Sequence, residues 1–307
     1  MSKLRNIAMA FVALHVIYLG AALPARAAPL AELVSMRTDD RVLLHGLHYR
    51  PEQQSHSVVI QVPGGPGAFY SMQDMSPLAE ALNRNGYHFI SMNLRTAGAN
   101  GMLYAKFEDC LLDIAAAVKH AKDKGLTNII LLVPSLSTPR AFYYLAKSKE
   151  PAIKGLVLVG AIMSPYLEAQ LRWSEGERAK YDEFLSRQRA AVKAGNGREI
   201  AAYPWAGGRS WEFSAATWIS VFGNPEESNA SAMKYAKEIT IPVLLIHGTK
   251  DDGSLPENSR RLQASLENAP SKELVMIDGA DHMFIGTAGK FAQVAGDWVI
   301  KTFPAVR

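Results

Sequence analysis

The chain has 307 residues, 48% hydrophobic and 20% charged, with Gly 23, Pro 16 and a single cysteine, a composition that excludes a disordered chain, a collagen-like repeat and a disulfide scaffold. A formal charge of +4 would ordinarily point to nucleic acid or an anionic membrane as partner. Here the excess lies in residues 1–27, which hold Lys3, Arg5, Arg26 and no acid; the remainder carries 30 basic against 29 acidic residues, so no nucleic-acid partner is expected.

Those first 27 residues combine a basic start, an apolar stretch from Ile7 to Leu23 broken only by His15 and Gly20, and Ala25-Arg26-Ala27. This is the pattern of a secretory signal peptide cut after Ala27, which predicts a periplasmic or secreted mature domain over 28–307, free of the membrane once the signal is removed. The alternative is an uncleaved anchor, because about 17 apolar residues stand at the lower edge of a bilayer span. Cys110 has no partner for an internal disulfide and reads as a small core residue.

From Arg41 to His48 the chain predicts an antiparallel strand or hairpin arm. Short β-branched, apolar runs then follow at Ser57 to Val62, His88 to Met92, Asn128 to Val133, Gly155 to Val159, Val243 to His247 and Glu273 to Ile277, as buried parallel strands require when helices cover both faces. Helical spacing of apolar residues occupies Leu78 to Asn85, Phe107 to Lys124, Arg140 to Lys147, Asn258 to Leu266 and Gly289 to Thr302. In the second of these, Leu111, Leu112, Ile114, Ala115 and Val118 form the expected buried stripe, and Gly125 stops the helix. The alternation predicts an α/β fold with a mostly parallel central sheet and helices on both faces. It breaks between Met163 and Ala236, a segment helical around Glu175 to Lys193 and loop-like through Gly195 to Ser210. Four of the five tryptophans lie there, Trp173, Trp205, Trp211 and Trp218, which suits a helical cap over the strand ends whose tryptophans either line a pocket for an apolar substrate group or, for most of them, pack the cap's own small core.

Four runs carry chemistry. In Asn128-Ile-Ile-Leu-Leu-Val-Pro-Ser135-Leu-Ser, a serine stands where an apolar strand meets a helix, the context of a nucleophile elbow in which the helix N-terminus favours developing negative charge. The positions two before and two after are Val133 and Ser137 where G-x-S-x-G has glycines; Ser137 is small enough, whereas Val133 needs a displaced helix or a small residue facing it. A serine here also reads as a plain helix cap. The run from Ile241 to Pro256 ends a strand with Asp251 and Asp252, of which Asp251 fits better as the acid that orients an imidazole. A further strand leads to His282. Serine, acid and histidine in that order match one convergent arrangement for acyl transfer, in which the base removes the serine proton and the acid fixes the base's tautomer. Finally, Ser57 to Val62 leads into Pro63-Gly64-Gly65-Pro66-Gly67, where main-chain N–H groups are free to form an oxyanion hole. Pro66 has no N–H, so Gly64 or Gly65 is one donor and the amide of Leu136 the other.

On these runs the chain, from about residue 40 to its end, resembles the α/β-hydrolase superfamily. The glycine-proline loop is similar to the His-Gly-Gly-Pro-Gly loop of proline iminopeptidase-type members, with Pro63 in place of the histidine. Phe213 to Gly223 and Gly279-Ala-Asp-His-Met-Phe are similar to segments of DUF1749-related bacterial hydrolases. The resemblance implies Ser135, Asp251 and His282 as a catalytic triad, the glycine loop as oxyanion hole and 163–236 as a lid. The expected function is an exported serine hydrolase of carboxylic esters acting through an acyl-enzyme without metal or organic cofactor. A peptidase or amidase of the same fold is one alternative; a binding protein that has lost catalysis, suggested by Val133 and Pro134, is the other. The expected partner is a small ester or amide. His45, His48 and His56 form no strong metal pattern, no phosphate or dinucleotide loop follows any strand, and Asn93 and Arg95 read as loop anchors or as groups that reach the active-site rim.

Overall fold

The computed structural model describes residues 31–53, 55–65, 67–70, 75–204 and 210–306; the expected leader, Pro66 and Trp205 lie outside the described residues. The strands of the main sheet are β1 (Ala31–Arg37), β2 (Leu43–Tyr49), β3 (Ser57–Gln61), β4 (His88–Met92), β5 (Asn128–Pro134), β6 (Ile153–Val159), β9 (Val243–Gly248) and β10 (Lys272–Ile277), with β7 (Ile200–Pro204) and β8 (Ser210–Ser214) forming a separate hairpin. The main sheet has the order β1-β2-β4-β3-β5-β6-β9-β10. β1 pairs with β2, and β2 with β4, antiparallel; every later pair is parallel.

The central strands are apolar at nearly every position because both faces are covered. Successive side chains alternate in direction, so Ile129, Leu131 and Val133 enter one core cluster while Ile130 and Leu132 enter the other. One face receives α3 (Cys110–Asp123) and α4 (Ser137–Ser148); the other receives α1 (Ser76–Arg84) and α9 (Ala288–Thr302). The remaining helices are α2 (Ala99–Tyr104), α5 (Pro165–Arg172), α6 (Glu175–Lys193), α7 (Ala215–Phe222) and α8 (Pro256–Ser265). β3 sits between β4 and β5, so the chain order reverses there, and such a switch point opens a crevice at the carboxyl ends of the strands.

Three expectations change. The arm at Arg41 to His48 has an unforeseen partner in β1, an edge strand that buries only Val34 and Met36 and leaves Leu33 exposed. In α3 the buried face is rotated from the expected stripe: Ile114 and Val118 are buried, Leu111, Leu112 and Ala115 only half so, and Asp113 is inside. The acid is tolerated there because Arg95 meets it, Nε to Oδ1 at 2.8 Å and the backbone N–H to Oδ2 at 2.9 Å. The segment through Gly195 to Ser210 is not all loop, since β7 and β8 pair in register from Ile200 with Ser214 to Pro204 with Ser210.

Between β6 and β9, α5, α6, the β7–β8 hairpin and α7 enclose their own aromatic cluster of Tyr181, Phe184, Phe213, Trp218 and Phe222. Ser174 caps α6 through a reciprocal box with Glu177. Trp218 is fully buried and donates its indole N–H to the Ala201 carbonyl at 2.8 Å, so this tryptophan is a packing residue. Trp211 is only partly buried against the cluster.

Candidate active site

β5 ends at Pro134, and Ser135 turns the chain with φ +52°, a left-handed conformation that costs a non-glycine residue about 1 kcal/mol or more. Hydrogen bonds hold the turn: the Ser135 N–H donates to Val159 O at 2.8 Å, and Thr138 N–H donates to Ser135 O at 3.0 Å. The hydroxyl therefore stands at the end of the central strand, with the first turn of α4 beside it.

His282 Nε2 lies 3.1 Å from Ser135 Oγ, and its Nδ1 lies 2.9 Å from each oxygen of Asp251. Nδ1 facing a carboxylate must carry the proton, leaving Nε2 to accept from the serine hydroxyl. Asp251 is saturated: its Oδ1 also accepts the N–H groups of Gly253 at 2.9 Å and Ser254 at 2.7 Å. Burial alone would raise the Asp251 pKa, but hydrogen bonds from His247, His282 and the Ser254 N–H hold it well below the usual carboxylate range. Asp252, the other candidate acid, is exposed.

The chain places three further groups around this set that sequence reasoning passed over. His247, fully buried at the end of β9, puts Nε2 3.3 Å from Asp251 Oδ2 and 3.1 Å from Ser254 O, while Nδ1 lies 2.7 Å from Ser259 Oγ. Nε2–H thus donates toward Asp251, and Nδ1 accepts from Ser259. Gly253 and Gly160 leave room for the imidazole: a Cβ on Gly253 would stand 2.4 Å from His282 Cγ, and one on Gly160 3.2 Å from its Cε1 and 3.0 Å from Asp251 Oδ2. His247 precedes Asp251 by four residues and Gly253 follows it by two, so the only visible signal was proximity in sequence.

The loop after β3 is anchored to the serine's helix. Pro63 O accepts from Ser137 Oγ at 2.5 Å, and Arg140 donates from Nη1 to Pro63 O at 3.4 Å and from Nη2 to Gly65 O at 3.2 Å. Gly65 and Gly67 have φ +50° and +85°, and a Cβ at Gly67 would meet Leu94 and Thr96 at 2.8 Å. Gly65 and Leu136 line one cavity, so two of the three expected oxyanion donors border the same space; Gly64 is buried in the loop beside them.

Asn93 Oδ1 accepts the Phe69 N–H at 2.8 Å and Arg95 binds Asp40 and Asp113, both anchoring loops. The three early histidines lie apart in their contacts: His45 with Ser35, His48 with His88, His56 with Gly125 O. Among the described residues there is no group of side chains suited to a metal ion, and no helix long and apolar enough to cross a membrane.

An eight-stranded, mostly parallel sheet clothed by helices, with a serine in a strained turn between its central strand and the next helix, defines the α/β-hydrolase fold. The family model described as serine aminopeptidase, S33, matches residues 53–287; this is most of the chain, and the chain belongs to that family. Similar solved structures include the esterase domain of a Rhodothermus marinus protein, 16% identical over 89% of this chain and 98% of that one with a TM-score of 0.61. Est1E from Butyrivibrio proteoclasticus is 16% identical over 88% and 98%, with a TM-score of 0.64. A Pyrococcus furiosus esterase is 21% identical over 91% and 95%, with a TM-score of 0.60. A comparison with curated proteins found no match.

Proposed function

We propose that the protein is a serine hydrolase of small carboxylic esters, with Ser135 as nucleophile, His282 as general base and Asp251 as the group that orients it. The observation that carries this reading is the continuous hydrogen-bonded line from Ser135 Oγ through His282 to Asp251, at 3.1 and 2.9 Å, built from residues 31 to 147 positions apart. His282 Nε2 takes the hydroxyl proton as Oγ attacks the carbonyl carbon. The oxyanion of the tetrahedral intermediate forms beside the Leu136 amide and the Gly64–Gly65 loop, at the N-terminus of α4. His282 then gives its proton to the departing alcohol, leaving an acyl-serine, and water deacylates it with the same base.

Labelling with a fluorophosphonate probe tests the reading: wild-type protein takes up the probe and Ser135→Ala does not, and a folded wild-type protein that stays unlabelled refutes it. The esterase neighbours share only the fold with this chain, yet favour oxygen esters among the substrates that such a site accepts.

The family's description and the iminopeptidase-like loop favour a second reading, an aminopeptidase. Recognition of a substrate ammonium requires an uncommitted carboxylate near the serine. Asp113, the buried acid on the adjoining cavity wall, has both oxygens bound by Arg95, and Asp109, which also lines it, accepts the Lys106 N–H at 2.9 Å and lies 3.9 Å from Arg95 Nη1; this favours the ester. Turnover of an N-terminal-proline anilide without turnover of a short acyl ester would reverse the order. The same proposal includes export, carried by the pattern of residues 1–27; a mature N-terminus at Ala28 is the expected result of sequencing the protein from its native compartment.

A further inference from the structure

Arg140 is a buried cation with no anion in contact among the described residues. It stands on α4 five residues beyond Ser135, is 6% exposed, and among the described residues bonds to neutral acceptors: Pro63 O and Ser137 Oγ, both at 3.4 Å, and Gly65 O at 3.2 Å. A guanidinium has five N–H donors, so these three contacts leave two uncommitted. Removing a charge from water without an ionised partner is costly, and burial accordingly lowers the Arg140 pKa from the usual arginine value.

Its surroundings explain why the nearest described carboxylate does not take this role. Asp113 acts on Arg140 through space, but Arg95 occupies both Asp113 oxygens, and Asp40 closes the other side of Arg95 at 2.7 Å. Lys106 and Asp109, which line the same cavity, carry opposite charges.

Arg140 lines a cavity with Gly65 and Leu136, the two residues that border the proposed oxyanion site, under a wall of Trp211, Phe213 and Phe222. The cavity is open in part to solvent, so a chain can enter it from outside. Its walls are thus aromatic and aliphatic toward the inserted segment; of the cations that line it, Arg95 is paired with Asp40 and Asp113 and Lys106 is exposed, which leaves Arg140 as the buried one. An apolar chain with a negative end fits this distribution; a wholly apolar chain leaves the guanidinium unanswered.

We propose that this cavity is the acyl pocket and that it selects acyl groups ending in a carboxylate, received by Arg140. The inference rests on the ester-hydrolase reading above. In the reaction, Ser135 Oγ bonds to the ester carbonyl of a dicarboxylic acid half-ester, the C–O bond to the alcohol breaks, and the alcohol leaves with the proton from His282. Water then cleaves the half-acyl serine and the free dicarboxylic acid departs.

The test compares kcat/KM for 4-nitrophenyl esters of matched length, butanoate against hemisuccinate and hexanoate against hemiadipate, after subtraction of spontaneous hydrolysis. At least one carboxylated ester exceeds its neutral counterpart tenfold or more in the wild type; Arg140→Met abolishes that ratio and Arg140→Lys keeps part of it. Because Arg140 also ties the glycine loop, absolute rates fall in both variants, and the ratio within each variant is the readout. Neutral esters that match or exceed both carboxylated ones in the wild type overturn the inference, as does a ratio unchanged by Arg140→Met. Calorimetry on Ser135→Ala gives a second readout free of chemistry: adipate binds at least tenfold more tightly than adipamide, and equal or absent binding of adipate overturns the inference. Fluorophosphonate labelling separates the two failures. A labelled protein indifferent to the carboxylate loses only the pocket assignment; an unlabelled protein that hydrolyses no ester loses the hydrolase reading, and calorimetry then decides the pocket alone.

Discussion

Gly253→Ala is the sharpest test of the site, because the three atoms nearest the added methyl all belong to the imidazole. The new methyl would stand 2.4 Å from His282 Cγ, 2.6 Å from Cδ2 and 2.8 Å from Nδ1. An ordinary carbon contact needs about 3.5 Å, so the ring must retreat by about 1 Å. His282 is held by bonds of 3.1 Å to Ser135 and 2.9 Å to Asp251, and a shift of that size takes at least one of them beyond hydrogen-bond range. A displacement of about 1 Å at reacting groups costs about a hundredfold in rate, and that is the expected fall in kcat/KM for a 4-nitrophenyl ester and in the rate of fluorophosphonate labelling. Gly253 is exposed and outside the core, so the thermal midpoint should move little. Gly176→Ala, in the first turn of α6 with nothing within 4 Å of the added carbon, is the control and should keep wild-type activity. A folded Gly253→Ala protein retaining more than a third of wild-type kcat/KM would refute the reasoning.

Ser135→Gly removes a side chain from φ +52°; it should raise stability in urea by about 1 kcal/mol while abolishing labelling, and a destabilised variant would contradict the strain argument. His247→Leu takes a donor from a buried carboxylate, at an expected cost of about 2 kcal/mol in urea. It should lower kcat more than it raises KM, with His247→Gln restoring most of kcat; a variant affected only in stability would leave His247 a packing residue. His48 and His88, joined at 2.9 Å, have pKa values lowered by burial to about 3 and about 4. The fold holds both neutral, whereas the unfolded chain takes up protons near the ordinary value of 6.5. Their contribution is therefore complete above that pH and is lost as pH falls from 6.5 toward 3. At pH 5, allowing for partial solvent screening, each should cost about 1 kcal/mol, so urea midpoints should fall between pH 7.5 and 5 and fall less in His48→Gln. An equal fall in both proteins would remove His48 from the account.

What the sequence disclosed and what it withheld divide along a physical line. The central parallel strands were legible because each is covered on both faces and apolar almost throughout, and Ser135 and Asp251 because each follows such a strand at its carboxyl end; His282 follows β10, an edge strand that fully buries only Ile277, and was legible from its place after serine and acid. β1 was not legible: an edge strand buries one face, and its alternation over seven residues is a weak signal against polar neighbours. The β7–β8 hairpin belongs to a segment with its own aromatic core, whose period the main sheet does not dictate.

The charges were harder still, because their meaning depends on partners that sequence spacing does not reveal. Asp113 breaks the apolar face of α3, yet its partner Arg95 lies in another loop. Arg140 reads as one more cation on an amphipathic helix until its three neutral acceptors are seen. Val133 shows the converse. The residue departs from the glycine expected two before the serine, and its fully buried side chain joins the cluster that contains Ala141 of α4, a small residue on the helix that follows the turn. The strain of the elbow falls on Ser135 itself, at φ +52°. A β-branched residue in the strand is compatible with a turn whose left-handed residue lies two positions later. Val133→Gly should therefore open a cavity and destabilise the protein, by about 2 kcal/mol or more, without increasing the rate of labelling. A faster-reacting Val133→Gly protein would show instead that valine holds the serine away from its base.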